Sequence, residues 1–163
     1  MMKSTVPKEV AMADAGELHS ALGERIGTYV KRLEQLIIGA KTEALRPLGV
    51  TVPQYAVLFA ISHLQPTSGA QLARAVSTTP QTMSTILNNL AAKDLIVRDV
   101  SAIHQKLLEV RLTPAGEEHV RQCDEIAVRI ETGLRSAIGE DRFKILTEIS
   151  KIVESAIPSD EQS

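Results

Sequence analysis

Tryptophan is absent from this chain, and two tyrosines and two phenylalanines are its whole aromatic complement. With so few rings, no ligand pocket can be read directly from the sequence. The lone cysteine, Cys123, excludes an internal disulfide framework and fits a reducing compartment. No His-x-x-x-His or Cys-x-x-Cys unit occurs, so nothing supports a zinc site. His119 and Cys123 stand four apart on one helix face, which leaves a metal or tuned-thiol pair open beside plain packing. Cys123 would sense oxidants only if a nearby cation lowered its pKa. A phosphate-cradling glycine loop, a nucleophile elbow and a convincing acid/base pair are all missing, so catalysis has no support and no cofactor is expected. No apolar run is long enough to span a bilayer. Residues 1–16 lack the continuous apolar core of a secretion signal and read as a flexible arm. An excess of positive charge is lacking too: the formal net charge is −2.

What is present is concentrated between Ser68 and Gly116. Ser68 precedes a short helix with Leu72, Ala73 and Val76 on one face, and its hydroxyl can cap the first turn. Ser77 and Thr78 break that pattern. Thr79 then precedes Pro80, a capping hydroxyl followed by a ring already at helical φ, and a second helix runs to about Ala92. Met83, Ile86, Leu87 and Leu90 recur at helical spacing and should face the core. Gln81, Thr82, Ser84, Thr85, Asn88 and Asn89 fall elsewhere on the wheel. That surface has no long apolar group and no acid, so it can reach base edges and phosphates by hydrogen bonds, or it is an ordinary solvated face. Leu95 to Arg98 and Leu107 to Leu112 read as two strands, with Asp99 to Lys106 as the tip between them. Thr113-Pro114 repeats the cap-plus-proline signal. Helix, turn, polar helix, hairpin and capped helix in this order predict a winged helix-turn-helix, whose usual task is to put one helix into the major groove.

The flanks read as long amphipathic helices. Leu18, Leu22, Ile26, Tyr29, Val30, Leu33, Leu36, Ile37 and Ala40 share helical spacing, as do Val120, Cys123, Ile126, Ile130, Leu134 and Ile138. Beyond Gly139, Phe143, Leu146, Ile149, Val153 and Ile157 repeat the pattern. Such helices, far apart in sequence, are commonly covered by a symmetric partner. Between them, Thr51 to Leu64 reads as a buried connecting helix, with Val52, Tyr55, Ala56, Leu58, Phe59 and Ile61 inside. Charge is uneven. From Pro66 to Gly116 five Lys/Arg face three acids, whereas from Glu117 onward six basic residues face eleven acids. The fold class is therefore mainly α with a small β-wing: a winged helix-turn-helix (51–116) flanked by N- and C-terminal dimerisation helices (17–48 and 117–157), with a polar tail at 158–163. All of 17–157 is expected to form one unit.

At this level the chain resembles the MarR family of transcription regulators. The resemblance is carried by Gly49 to Leu58, Gln71 to Ala73, Thr82-Met-Ser84, Leu90, Leu95 to Arg98 and Val110-Arg-Leu-Thr-Pro-Ala-Gly116, most sharply from Arg111 to Gly116. It spans about Gly23 to Ala156. The family's Asp-Arg-Arg run at the wing tip appears here as His104-Gln105-Lys106, and the glycine after its recognition helix appears as Asp94. Thr85 or Asn89 stands where an arginine is often found. The resemblance implies a cytoplasmic homodimer on a pseudo-palindromic operator in double-stranded DNA, released by a small aromatic or phenolic effector. The implied DNA-binding set is Ser68, Thr79, Gln81, Thr82, Ser84, Thr85, Asn88, Arg98, Gln105 and Lys106. By position, Tyr29, Tyr55 and His63 are candidates to line the effector site. The alternative is a winged-helix module that binds protein and has lost specific DNA binding.

Overall fold

Four helices of this chain start on the same local device. Thr51, Ser68, Thr79 and Thr113 each lie in extended backbone, and each side-chain oxygen accepts from the amide three residues on. These bonds, to the amides of Gln54, Gln71, Thr82 and Gly116, measure 3.3, 3.3, 3.1 and 2.9 Å. At Thr51 and Ser68 the glutamine side chain returns an acceptor to the cap's own N–H, at 3.2 and 2.9 Å. Both reciprocal boxes satisfy donors that a helix end otherwise leaves open.

The computed structural model describes residue 23 and residues 25–100 and 108–157. Helix α1 is Ile26–Leu45, followed by a 3₁₀ turn, Arg46–Leu48, that closes on Gly49 at φ +67°. Then come α2 (Val52–Leu64), α3 (Gly69–Ala75), α4 (Pro80–Ala92), β1 (Ile96–Val100), β2 (Leu108–Leu112), α5 (Pro114–Ile138) and α6 (Glu140–Ala156). The chain divides into two compact units, Met1–Ala40 and Lys41–Ser163.

In the second unit the core is built from Leu45, Val57, Leu58, Ile61, Leu72, Met83, Leu87, Leu90, Ile96, Val110, Leu112 and Cys123, with smaller residues between them. The strands pair antiparallel, from Ile96 opposite Leu112 to Val100 opposite Leu108. Thr67 adds a bridge to Val110, exchanging both backbone hydrogen bonds with it at 2.7 and 3.4 Å. This suture ties the segment before α3 to the wing.

Three sequence expectations shift. Leu95 does not open the first strand, because its N–H still donates to Leu90 O at 3.1 Å, and Asp94 at φ +55° turns the chain. Beyond Arg98 the strand continues to Val100. In α2, Phe59 was expected inside but is 38% exposed, while Gln54 is buried. The mean apolarity of α2 hid which side faces in. The inward line is Gln54, Val57, Leu58 and Ile61, and Gln54 is accepted there because its amide oxygen takes bonds from Thr51 N–H and from Lys93 Nζ at 3.1 Å. The expected flexible arm, the C-terminal tail and residues 101–107 of the wing lie outside the described residues.

Candidate nucleic-acid interface

Helix α4 separates its side chains by chemistry. Met83, Ile86, Leu87 and Leu90 are buried, as their spacing predicts, whereas Gln81, Thr82, Ser84, Thr85, Asn88 and Asn89 are exposed. Gln81, Ser84, Thr85 and Asn88 lie at i, i+3, i+4 and i+7, one continuous outward stripe. The helix carries no charged side chain anywhere along its length. Its hydroxyls are partly committed within the chain. Thr79 Oγ1 donates to Thr82 Oγ1 at 2.9 Å, and Thr85 Oγ1 donates to Gln81 O at 3.2 Å. Thr85 therefore presents an acceptor and a methyl group, while Gln81, Ser84 and Asn88 keep donors.

Two turns aim this helix. Between α3 and α4, Ser77 adopts φ +50°, and the Ser77 and Thr78 amides bond back to Arg74 O and Ala73 O. After α4, Asp94 occupies the left-handed region that favours glycine, and aspartate tolerates it better than most residues. Ser68 is only 8% exposed, with its hydroxyl held inside the capping box, donating to Gln71 Oε1 at 2.9 Å. At this end of α3 the exposed residues are Ala70 and Gln71. Thr79 is exposed at the start of α4.

At the base of the wing, Arg98 turns back onto α4. Its Nη1 donates to Asn88 Oδ1 at 3.0 Å, and its Nε and Nη2 are buried without a hydrogen-bond partner among the described residues. The guanidinium borders a groove of about 250 Å³, walled mainly by Met83, Leu87, Leu108 and Val110. Other cations of this region are also tied. Lys93 Nζ donates to Gly49 O at 2.6 Å, and Arg111 pairs with Glu109 at 2.9 Å. Arg74 is exposed and makes no such contact among the described residues. Gln105 and Lys106 lie outside them.

The profile of the MarR family matches residues 48–104. The HTH-type transcriptional repressor Rv2887 of Mycobacterium tuberculosis is 30% identical over 101 residues, covering 62% of this chain and 73% of that protein. The chain belongs to the MarR family. Among solved structures, S. aureus MepR in a DNA complex is similar with a TM-score of 0.77, at 21% identity, over 82% of this chain and 98% of that one. Rv2887 in complex with salicylic acid is similar with a TM-score of 0.63, at 23% identity, over 79% and 96%.

Within the sharpest stretch of the family resemblance, Thr113 to Gly116 has a geometric explanation in this MarR-family chain. Thr113 Oγ1 donates to Asp94 O at 2.7 Å while accepting from Gly116 N–H, and Thr113 N–H donates to Leu95 O at 3.1 Å. Helix α5 thus starts pressed against the backbone that leaves α4. A Cβ on Gly116 would stand 1.9 Å from Leu95 O. Sequence reading recognised this motif as a helix start and missed the contact that requires glycine.

The residues considered for an effector site separate. Tyr29 is on α1 in the first unit and 60% exposed. Tyr55 and His63 belong to one face of α2, with Phe59 between them. Ring centroids are 6.0 Å apart for Tyr55–Phe59 and 4.4 Å for Phe59–His63. Tyr55 OH donates to Asp124 Oδ1 on α5 at 2.7 Å. Burial, and then this bond to a carboxylate, push the phenol above its ordinary value. His63 Nδ1 is 2.9 Å from Phe59 O and 3.0 Å from Ser62 Oγ. Cys123 is fully buried, and burial raises its thiol to about 11, opposite to the shift that oxidant sensing would need. His119 and Cys123 form no metal-holding cluster with other described residues.

Proposed function

We propose that this MarR-family chain is a homodimeric transcriptional repressor that reads a pseudo-palindromic operator in double-stranded DNA. One observation carries the reading: the charge-free polar stripe of α4 is wholly outward while its apolar stripe is sealed inside. Gln81, Thr82, Ser84, Thr85 and Asn88 meet the major groove. The amides that follow the Ser68 and Thr79 caps face phosphates, and Gln105 and Lys106 carry the wing over the backbone or minor groove. Arg98 acts from the base of the wing. The name of Rv2887 and the DNA complex of MepR support this role by family likeness.

Dimerisation is supported by apolar faces with no cover from their own unit. Ile26, Val30, Leu33 and Leu36 on α1 are each more than half exposed, and α6 buries no residue at all. Paired reading heads then fall on two half-sites. With Lys93, Arg98 and Arg111 tied within the chain, phosphate attraction is modest, and affinity falls less steeply with salt than for strongly basic binders.

A small aromatic or phenolic effector releases the DNA, a role supported by the salicylic acid complex of Rv2887. The Tyr55–Phe59–His63 face offers rings and a phenol to such a molecule. The effector acts only through unequal affinity for the DNA-competent and incompetent states. The setting is cytoplasmic and the chain has no catalytic role. Among the described residues no single helix is long and apolar enough to cross a membrane.

A mobility-shift assay at low salt, with the DNA upstream of the protein's own gene against shuffled duplex, tests this function. Retarded native DNA with little retarded shuffled duplex is expected. Equal retardation of both, with recovery of a stoichiometric protein partner from lysate, would replace it with the protein-binding module.

A further inference from the structure

We propose that Arg98 fixes Asn88 as an outward hydrogen-bond donor, so that α4 prefers guanine or thymine to adenine at the base Asn88 meets. The inference rests on the DNA-reading role proposed above and specifies one of its contacts.

A guanidinium only donates, so the atom 3.0 Å from Arg98 Nη1 must be the amide oxygen of Asn88. That contact settles which way round the amide lies. The oxygen faces the protein, toward a guanidinium whose other nitrogens are buried against the groove wall. The amide nitrogen is left for the outside, on an exposed residue, and its hydrogens have no partner among the described residues. An asparagine free to turn reads adenine through both atoms, donating to N7 and accepting from N6. Held by Arg98, it offers donors alone, which fit the N7 and O6 of guanine or the O4 of thymine, whereas adenine accepts only at N7 and turns its N6 donor toward them. Arg98 is thus a positioning residue: it touches no base and acts through Asn88.

The test is selection from a random duplex library by the full chain, followed by sequencing. Wild type should enrich guanine or thymine at one symmetry-related pair of positions. Asn88→Ala should lose that preference and keep the rest of the motif, which locates the contact. Arg98→Met keeps the apolar stem without donors, and it should admit adenine there, with discrimination falling about tenfold. Arg98→Lys, still a donor, should restore part of it. Arg98→Met added to Asn88→Ala should change nothing further at that position, which a merely structural role for Arg98 would not produce. Should Arg98→Met fail to fold, Asn88→Asp serves instead. It keeps an acceptor for Arg98 and loses the outward donors, so binding to every duplex should drop about tenfold or more. Adenine enriched by wild type at that position, an unchanged preference in Arg98→Met, or undiminished binding by Asn88→Asp would overturn the inference alone. Wild type that enriches no sequence would instead overturn the DNA-reading function, and this contact with it.

Discussion

Helices α4 and α6 carry the same kind of sequence and meet opposite ends. Both are amphipathic, at 13 and 17 residues. Helix α4 buries Met83, Ile86, Leu87 and Leu90 against α2, α3 and β1, at about 1.5–3 kcal/mol for each large side chain. Helix α6 leaves Ile152 64% and Ile149 49% exposed and buries nothing. An apolar stripe at helical spacing states that a face needs cover. It does not state whether the cover comes from the same chain. In α4 the cover is internal, which frees the polar stripe to read a ligand. In α6 it has to come from elsewhere, and the proposed second copy would supply it by symmetry.

The sharpest way to break the internally covered region is at its tightest point. Gly116→Ala drives a methyl group onto Leu95 O, so the start of α5 must lift away from the end of α4. Loss of about 3 kcal/mol or more is expected in denaturant unfolding, enough to leave a marginal domain largely unfolded. Gly133→Ala, on the same helix but with nothing within 4 Å, is the control and should cost nothing. The externally covered region breaks differently. Ile149→Glu with Ile152→Glu should leave the circular dichroism of the monomer unchanged and shift sedimentation from dimer to monomer. Operator affinity should fall by about 2–4 kcal/mol as the second reading head is lost. Unfolding in place of dissociation would mean that α6 is covered from within. The smallest effect sharpens the contrast at the head of α4. Thr79→Ala removes the oxygen that accepts from Thr82 N–H, and should lower stability by about 1 kcal/mol. Dimerisation should be untouched.

Local signals were legible. The caps at Ser68, Thr79 and Thr113, the prolines that follow two of them, and the buried line Met83–Ile86–Leu87–Leu90 all follow from interactions within four residues along the chain. The order of elements followed from them. Phe59 was misread, and Gln54 went unremarked, because α2 is apolar on nearly every side, so periodicity could not choose its inward face. Lys93, which rewards the burial of Gln54, lies 39 residues away. The outward stripe of α4 was legible as a face. Its hydrogen-bond polarity was not, because the partner of Asn88 comes from the strand that follows.

By itself, the sequence determined where helices and strands begin, which stripe of each is apolar, and that a charge-free polar face stands at the centre of a winged helix. Those properties depend on backbone preference and on spacings of one or two turns. Only tertiary structure decided that Arg98 holds Asn88, that Tyr55 bonds Asp124, that Cys123 is sealed in and that Gly116 lies on the Leu95 carbonyl. Each of these joins groups from different elements. Their meeting is set by how the core closes, a collective balance of packing that no local spacing encodes.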